Sequence, residues 1–316
     1  MLAIQEQAAQ AAEHAAQATD HAGSFDAGET IIHHVANSSL DEPLIHLPKV
    51  LGIDLSVTKH VMMLWVVAAI VFLVVTWAVR RYLKQDRLIP SGFMNGLEAV
   101  VEFVRDTIVQ PNVGKKWVPT WAPLILTFFF FILTANAIGL IPIFDTIGLL
   151  DHYVLHTGEH SIVKQILHGG STATANYNVT AALATITFFT IIVAGTKAYG
   201  AVQHWMNLVP HGLAWPIYIL LIPIEIMGMF VRPFALTMRL AANMTGGHIA
   251  ILALLSLVFL FAEIGGRAAG VGAGVVMTLP LAVGISLLEC IVVLVQAYVF
   301  TLLTAVFVGM AIHVHH

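Results

Sequence analysis

One arginine stands inside an apolar stretch of the sequence, and it is the residue best suited to do chemistry. Arg239 occurs in a run that is apolar enough to be embedded in a membrane. A guanidinium stays protonated at any physiological pH, and placing it at the centre of a bilayer costs about 3 kcal/mol on insertion scales. A sequence that keeps such a charge usually uses it for an ion path, a gate or a charged partner.

The two apolar segments that end the chain contain Arg239 together with proton-exchanging residues and neutral amides. His248 and Glu289 can exchange protons near neutral pH, whereas Asn243 and Gln296 are neutral amides. If the two segments form an antiparallel hairpin that bends at the glycine-rich stretch between them, Arg239 lies level with Gln296. His248 then lies level with Glu289. Burial in a low dielectric favours such pairing of polar groups.

Helical spacing distributes these groups over different faces. Glu225, Arg232 and Arg239 are seven residues apart in turn, so they share one face of a helix. His248 follows Arg239 by nine residues, which places it on the opposite face. A proton-exchanging pair on one side and a fixed cation on the other predict two proton routes, separated by a charge that cannot relay protons.

The composition indicates a polytopic, all-α membrane protein. The chain has 316 residues, of which 58% are hydrophobic and 10% charged, whereas ordinary soluble domains carry about 25% charged residues. Its net charge of -4 gives no reason to expect nucleic acid as a partner. Residues 1–55 are polar and predict an external N-terminal segment, which leaves residues 56–316 as the membrane domain. The only cysteine, Cys290, excludes an intrachain disulfide.

Five membrane-crossing helices and one interfacial helix are predicted to position the polar groups. The crossings are the apolar runs 61–79, 117–144, 179–196, 213–262 and 268–312. The last two are each more than twice the length that a bilayer core requires. Each is therefore either two spans or, as we predict, one long and tilted helix of an antiparallel hairpin. Residues 93–110 place apolar side chains on one face of a helix and charged side chains on the other, and this pattern predicts the interfacial helix. Residues 200–212 are predicted to form a turn.

Basic residues set the expected orientation. Arg80, Arg81 and Lys84 follow the first run, and a cluster of this kind marks the cytoplasmic side. Lys197 marks the inner end of the third run in the same way. The N-terminus is therefore expected outside and the C-terminus in the cytoplasm.

The most specific pattern resembles subunit a of the F-type ATP synthase, the stator protein beside the rotating c-ring. Residues 238–248 read MRLAANMTGGH, residues 288–290 read LEC and residues 295–300 read VQAYVF. An arginine, an asparagine and a histidine at these spacings, with Glu and Gln seven apart on the next helix, are a strong signal. The resemblance covers residues 60–312.

The resemblance implies a role for each matching residue. Arg239 would be the essential stator arginine. The residues along or beside the outer half-channel would be Asn243, His248, Glu289 and Gln296, with Asn136 as a polar group on the third helix of the family. Glu225 and Arg232 match positions near the cytoplasmic half-channel.

The chain departs from some family members at three places. His248 and Glu289 stand exchanged relative to some bacterial members, as in the mitochondrial type. Gly139 stands where many members have an acid, and Asn176 where some have Asp.

The resemblance also implies partners and a location. The partners would be the c-ring, the peripheral-stalk b subunits, the lipid bilayer and, indirectly, the soluble ATPase sector. The location would be the bacterial plasma membrane, with the mitochondrial inner membrane as the alternative. No cofactor and no nucleotide-binding catalytic site are expected in this chain. The rival function is a stand-alone proton-coupled secondary transporter.

Several residues have an alternative, purely structural interpretation. Arg232 and Glu225 could lie at the cytoplasmic interface without a channel role, and Gln296 could serve as an interhelical hydrogen bond. His152, His156 and His160 have metal-like spacing, but we expect no metal there because the segment is external and its helicity unproven.

Overall fold

The computed structural model describes residues 56–84, 91–140, 173–207 and 215–313. The elements that these residues form are all helices, in agreement with the predicted all-α class. The predicted external segment 1–55 and the histidines predicted to share metal-like spacing lie outside the described residues.

Seven helices are named in chain order. They are α1 (Lys59–Leu83), α2 (Phe93–Phe103, continued by a π-helical turn at Val104–Val109 and an α-helical turn at Gln110–Val113), α3 (Val118–Leu140), α4 (Tyr177–Tyr199), α5 (Ala201–Met206), α6 (Trp215–Ala273) and α7 (Leu279–Ile312). A short 3-10 helix at Ala173–Ala175 precedes α4, and a π-helical turn at Gly274–Thr278 joins α6 to α7.

Helices α1, α3 and α4 each have the length of one bilayer crossing, because each is built on a long run without charges. Arg80 and Arg81 lie in the last turn of α1, where the helix dipole favours cations. The side chain of Asn176 accepts a hydrogen bond of 2.8 Å from the backbone N–H of Asn178 and so caps the start of α4. The helix boundaries therefore follow from local signals near the ends of the predicted runs.

Helix α2 is longer than the predicted interfacial helix and contains a π-helical turn. An extra residue in one turn rotates the helix that follows it. Ile108, Val109 and Val113 are consequently all buried. Glu102 and Asp106 lie on the exposed side and pair with Arg105 at 3.6 and 2.7 Å. The hydrogen bond from Arg105 lowers the pKa of Asp106.

The prediction of a simple turn at residues 200–212 is wrong in its first half, where the short helix α5 forms. Gly200 ends α4 with φ 90°, a backbone angle that favours glycine. The chain then turns back, and the imidazole of His204 packs directly on Gly195 of α4. His204 is buried, and burial lowers its pKa.

We expect Gly195→Ala to destabilise the fold by about 1–3 kcal/mol, as overpacking of a tight contact does. A Cβ at this position would overlap the imidazole of His204, so α5 would have to move. The free energy of unfolding in detergent measures the effect. Gly96→Ala in α2 is the matched control, because a Cβ there meets no atom within 4 Å. Equal stability of the two variants would contradict the tight contact.

Four helical stretches of the described residues are long and apolar enough to cross a membrane. They are His60–Leu83, Val118–Leu140, Tyr177–Tyr199 and Pro216–Ile312. The last contains 97 residues, far more than the roughly 20 that one crossing needs. The chain is therefore a multi-pass helical membrane protein, while the count of five crossings stays a prediction.

The last stretch breaks at Gly266, within the predicted glycine-rich turn. Its φ of 78° and ψ of 174° are not helical. A Cβ at Gly270 would lie 2.9 Å from the Cα of Ala262, and one at Gly274 would lie 3.3 Å from a methyl group of Val258. The residues after Gly266 therefore pack against those before it. That the two segments form one hairpin along their full length stays a prediction.

The described chain divides into two compact units. One contains Gly246–Leu288, and the other contains the remaining described residues, including Glu289 and all that follows. The second unit holds one apolar core, to which α2, α3, α4, α6 and α7 contribute. Phe128 of α3 meets Phe300 of α7 edge to face at 5.6 Å, and the hydroxyls of Thr187 and Thr304 join α4 to α7 at 3.4 Å.

Candidate functional site

Arg239 lies on the exposed side of α6. Leu236 and Leu240 on either side of it are buried, with exposed fractions of 2% and 1%, so the guanidinium points away from the core. Two contacts, one with α4 and one with the 3-10 helix that precedes it, bracket this part of α6. The rings of Phe188 and Phe230 stack at 5.5 Å, and further along, the hydroxyl of Thr245 donates to the carbonyl of Ala175 at 3.2 Å.

The surface around Arg239 is apolar. Phe234 is 63% exposed and Met238 40%, and Asn243, one helical turn beyond Arg239, is exposed as well. Among the described residues, Arg239 forms no ion pair. A permanent charge in an apolar membrane surface requires a partner or water. The described part of the chain therefore leaves this guanidinium accessible to a further group.

Glu289 and Gln296 lie on the buried side of α7. Their exposed fractions are 8% and 5%, and Val293 and Phe300 are buried beside them. The neighbouring Cys290 is exposed on the other side. No hydrogen bond to either side chain comes from a described residue. A buried carboxylate is costly without a partner, so Glu289 needs water or a polar group that reaches into this side of the helix.

His248 belongs to the unit that contains Gly246–Leu288, whereas Glu289 belongs to the other unit. His248 is half-buried. The pairing of His248 with Glu289 therefore stays a prediction that rests on their positions in the sequence.

Arg232 and Glu225 precede Arg239 on α6, and both are half-buried. The guanidinium of Arg232 lies over the ring of Phe307 on α7, 5.7 Å from its centre. That Arg239 lies level with Gln296 on α7 stays a prediction.

Asn136 is fully buried at the end of α3 and accepts a hydrogen bond from the hydroxyl of Thr174. Its amide nitrogen has no partner among the described residues. An unpaired buried amide costs about 1–3 kcal/mol, and a bound water would remove that cost. Thr174 was not among the predicted site residues, although its position two residues before the cap Asn176 places it at the start of a helix.

The described residues contain no cluster of three or more metal-ligating side chains. Apart from His248, the polar groups described above belong to the same compact unit. Together they offer an exposed fixed cation, a buried carboxyl group and two buried amides. These groups can bind water, move protons and attract a carboxylate.

Comparison with known proteins agrees with this chemistry. The family model described as ATP synthase A chain matches residues 61–309. ATP synthase subunit a 2 of Chlorobium luteolum is 39% identical over 293 residues, which cover 90% of this chain and 76% of the relative. ATP synthase subunit a of Pelodictyon phaeoclathratiforme is 37% identical over 297 residues, covering 92% and 77%. Subunit a of Anaeromyxobacter dehalogenans is 36% identical over 334 residues, covering 98% and 77%.

Proposed function

Because this chain belongs to the ATP synthase subunit a family, we propose that it conducts protons through two offset half-channels separated by Arg239. As a member of that family it is a multi-pass helical protein of the bacterial inner membrane, and it takes part in proton transport and ATP synthesis as a stator subunit. The observation that carries the proposal is the exposed guanidinium of Arg239 on an apolar surface of α6.

The partner that fits this surface is a ring of c subunits with a carboxyl group in mid-membrane. An ionised carboxylate near Arg239 is stabilised by the opposite charge. A protonated carboxyl group that reaches Arg239 therefore releases its proton to one half-channel, and the carboxylate that remains is later reprotonated from the other half-channel. A neutral carboxyl group can pass through lipid, whereas a charged one cannot. The membrane potential supplies about 2.3 kcal/mol per proton for each 100 mV, so proton flow turns the ring.

We assign the polar residues to the two half-channels by their order along the helices. His248, Glu289, Asn243 and Gln296 line or adjoin the outer half-channel. Asn136 contributes to the same route from the end of α3. Glu225 and Arg232 belong near the inner half-channel, where Arg232 also packs on Phe307.

We propose five crossings, with the N-terminus outside and the C-terminus in the cytoplasm. Contacts within the second compact unit support the placement of several helix ends on the same side of the membrane. Trp77 near the end of α1 meets Phe93 at the start of α2 at 6.2 Å. Lys197 near the end of α4 lies 5.8 Å from the ring of Trp121 near the start of α3. The basic ends of α1 and α4 then both belong to the cytoplasmic side. Peripheral-stalk b subunits are the further partners that we propose.

A stand-alone secondary transporter is the weaker alternative. Substrate sites in such proteins lie near the bilayer midplane, at the interface between internal repeats. Arg239 instead lies on an exposed surface, which favours a partner chain over a site enclosed by this chain.

The test is cross-linking from the surface beside Arg239. Ala242 is exposed and Ala241 is fully buried, so cysteines at these two positions form a matched pair in a Cys290→Ser background. We expect a photoactivatable maleimide on Ala242→Cys to cross-link to a c subunit, identified by mass spectrometry, in the mildly solubilised complex. Ala241→Cys should give no such product. Purification of the chain alone, with only lipid adducts at Ala242→Cys, would overturn the proposal.

A further inference from the structure

Three helices end close together in the second of the two compact units. The carbonyl of Val113, at the end of α2, accepts a hydrogen bond from Nε2 of His313 at 3.1 Å. The carbonyl of Ile312, at the end of α7, accepts one at 2.8 Å from the hydroxyl of Tyr199, the last residue of α4. The last carbonyls of a helix have no partner within that helix. Each of these contacts therefore supplies the missing donor from another part of the chain.

Gly309 permits the close approach of α7 to α2. A Cβ at this position would overlap the backbone carbonyl of Asn112, whose carbonyl carbon would be 2.9 Å away. These are backbone atoms of a helical turn, so they cannot rotate aside as the end of a long side chain can. Asn112 is further held by its amide, which donates to the carbonyl of Ile108 at 2.7 Å. A side chain at position 309 would separate the two helices.

The polar contacts sit on tightly packed apolar residues. Val113 and Val308 are fully buried, and Ile312 is nearly so. All three belong to the same core cluster, together with Val109 of α2. The contact between these helix ends combines buried apolar packing with two hydrogen bonds that connect different helix ends. We call the set Val113, Tyr199, Gly309, Ile312 and His313 the C-terminal clamp.

We propose that the C-terminal clamp positions α7 for proton transfer, and that Gly309 is its principal positioning residue. This inference rests on the function proposed above. Helix α7 carries Glu289 and Gln296 on its buried side, and a helix is stiff along its axis. Fixing one end of α7 therefore fixes the depth and rotation of both groups. The clamp ties the end of this helix to α2 and α4.

The experiment uses the assembled complex in inverted membrane vesicles, compared at equal amounts of complex. Gly309→Ala is compared with Gly284→Ala, a matched control on the same helix where a Cβ meets no atom within 4 Å. Tyr199→Phe removes a single hydroxyl and is the milder second variant. The readouts are the rate of ATP-driven proton pumping and its pH profile.

We expect Gly309→Ala to lose about tenfold in the rate of ATP-driven proton pumping, because small displacements of reacting groups have large effects on rate. Its pH profile should move, and Tyr199→Phe should show a smaller loss in the same direction. Gly284→Ala should match the unaltered protein. If Gly309→Ala does not assemble, Tyr199→Phe decides.

An unchanged pumping rate and pH profile in the assembled fraction of the clamp variants would overturn the inference. Such a result would mean that the clamp serves assembly alone. Arg239→Ala in the same series separates this outcome from a failure of the proposed function. If Arg239→Ala is inactive while the clamp variants pump normally, only the clamp inference is lost. If Arg239→Ala itself pumps normally, the proposed function is lost.

Discussion

Replacing Arg239 by alanine is expected to abolish ATP-driven proton pumping in membrane vesicles, with a loss of at least about a hundredfold. Alanine removes the charge that stabilises an ionised carboxylate on the partner, and it also removes the barrier to a proton leak between the two half-channels. Arg239→Lys should pump poorly as well, because a lysine can lose its proton when buried and lacks the planar fork of donors. Quenching of a pH-sensitive dye in inverted vesicles measures the rate.

Met238→Leu is the matched control for this change. Met238 is exposed beside Arg239, and the substitution conserves volume and polarity. It should therefore pump at close to the normal rate and show that the loss in Arg239→Ala comes from the missing charge. Normal pumping by Arg239→Ala would contradict the assignment of Arg239 as the stator cation.

The long helices could be predicted from the sequence because membrane burial imposes a simple rule. A span without charges has to be about as long as the bilayer is thick, and it has to satisfy its own backbone hydrogen bonds as a helix. The runs 61–79 and 179–196 therefore appear in α1 and α4 with a few added residues at each end. Basic residues at their ends mark where the apolar environment stops.

Features that depend on tertiary contacts could not be predicted in the same way. Helix α5 forms where His204 packs on the small residue Gly195 of α4, and no local sequence pattern predicts that contact. The π-helical turn in α2 likewise depends on which of its residues the core accepts. The sequence was sufficient to predict structure that depends on one segment and the membrane. It was insufficient to predict structure that depends on contacts between two segments.

The same division holds for the candidate site. The spacing of seven residues correctly placed Glu289 and Gln296 on one side of a helix, because helical phase is a local property. The hydrogen bond between Asn136 and Thr174 joins residues 38 positions apart, and that between Val113 and His313 joins residues 200 apart. Partners at such separations are decided by packing.

Glu289→Gln is expected to reduce proton flux nearly as strongly as Glu289→Ala, by about a hundredfold, which lies within the range lost when a general acid or base is removed. The amide keeps the size and shape of the buried side chain, so packing beside Val293 is preserved. It cannot release a proton, so the step that passes through the carboxyl group fails. Cys290→Ser, on the exposed side of the same turn, should pump normally in the same vesicle assay.

Exchanging His248 and Glu289 tests whether the two residues act as a pair. The exchange keeps one imidazole and one carboxyl group, so a shared route retains both proton-exchanging groups, in reversed order. It should therefore restore more flux than either single alanine variant, since coupled groups titrate together and not as separate sites. If the exchanged protein is as inactive as the single variants, the two residues do not act as a functional pair.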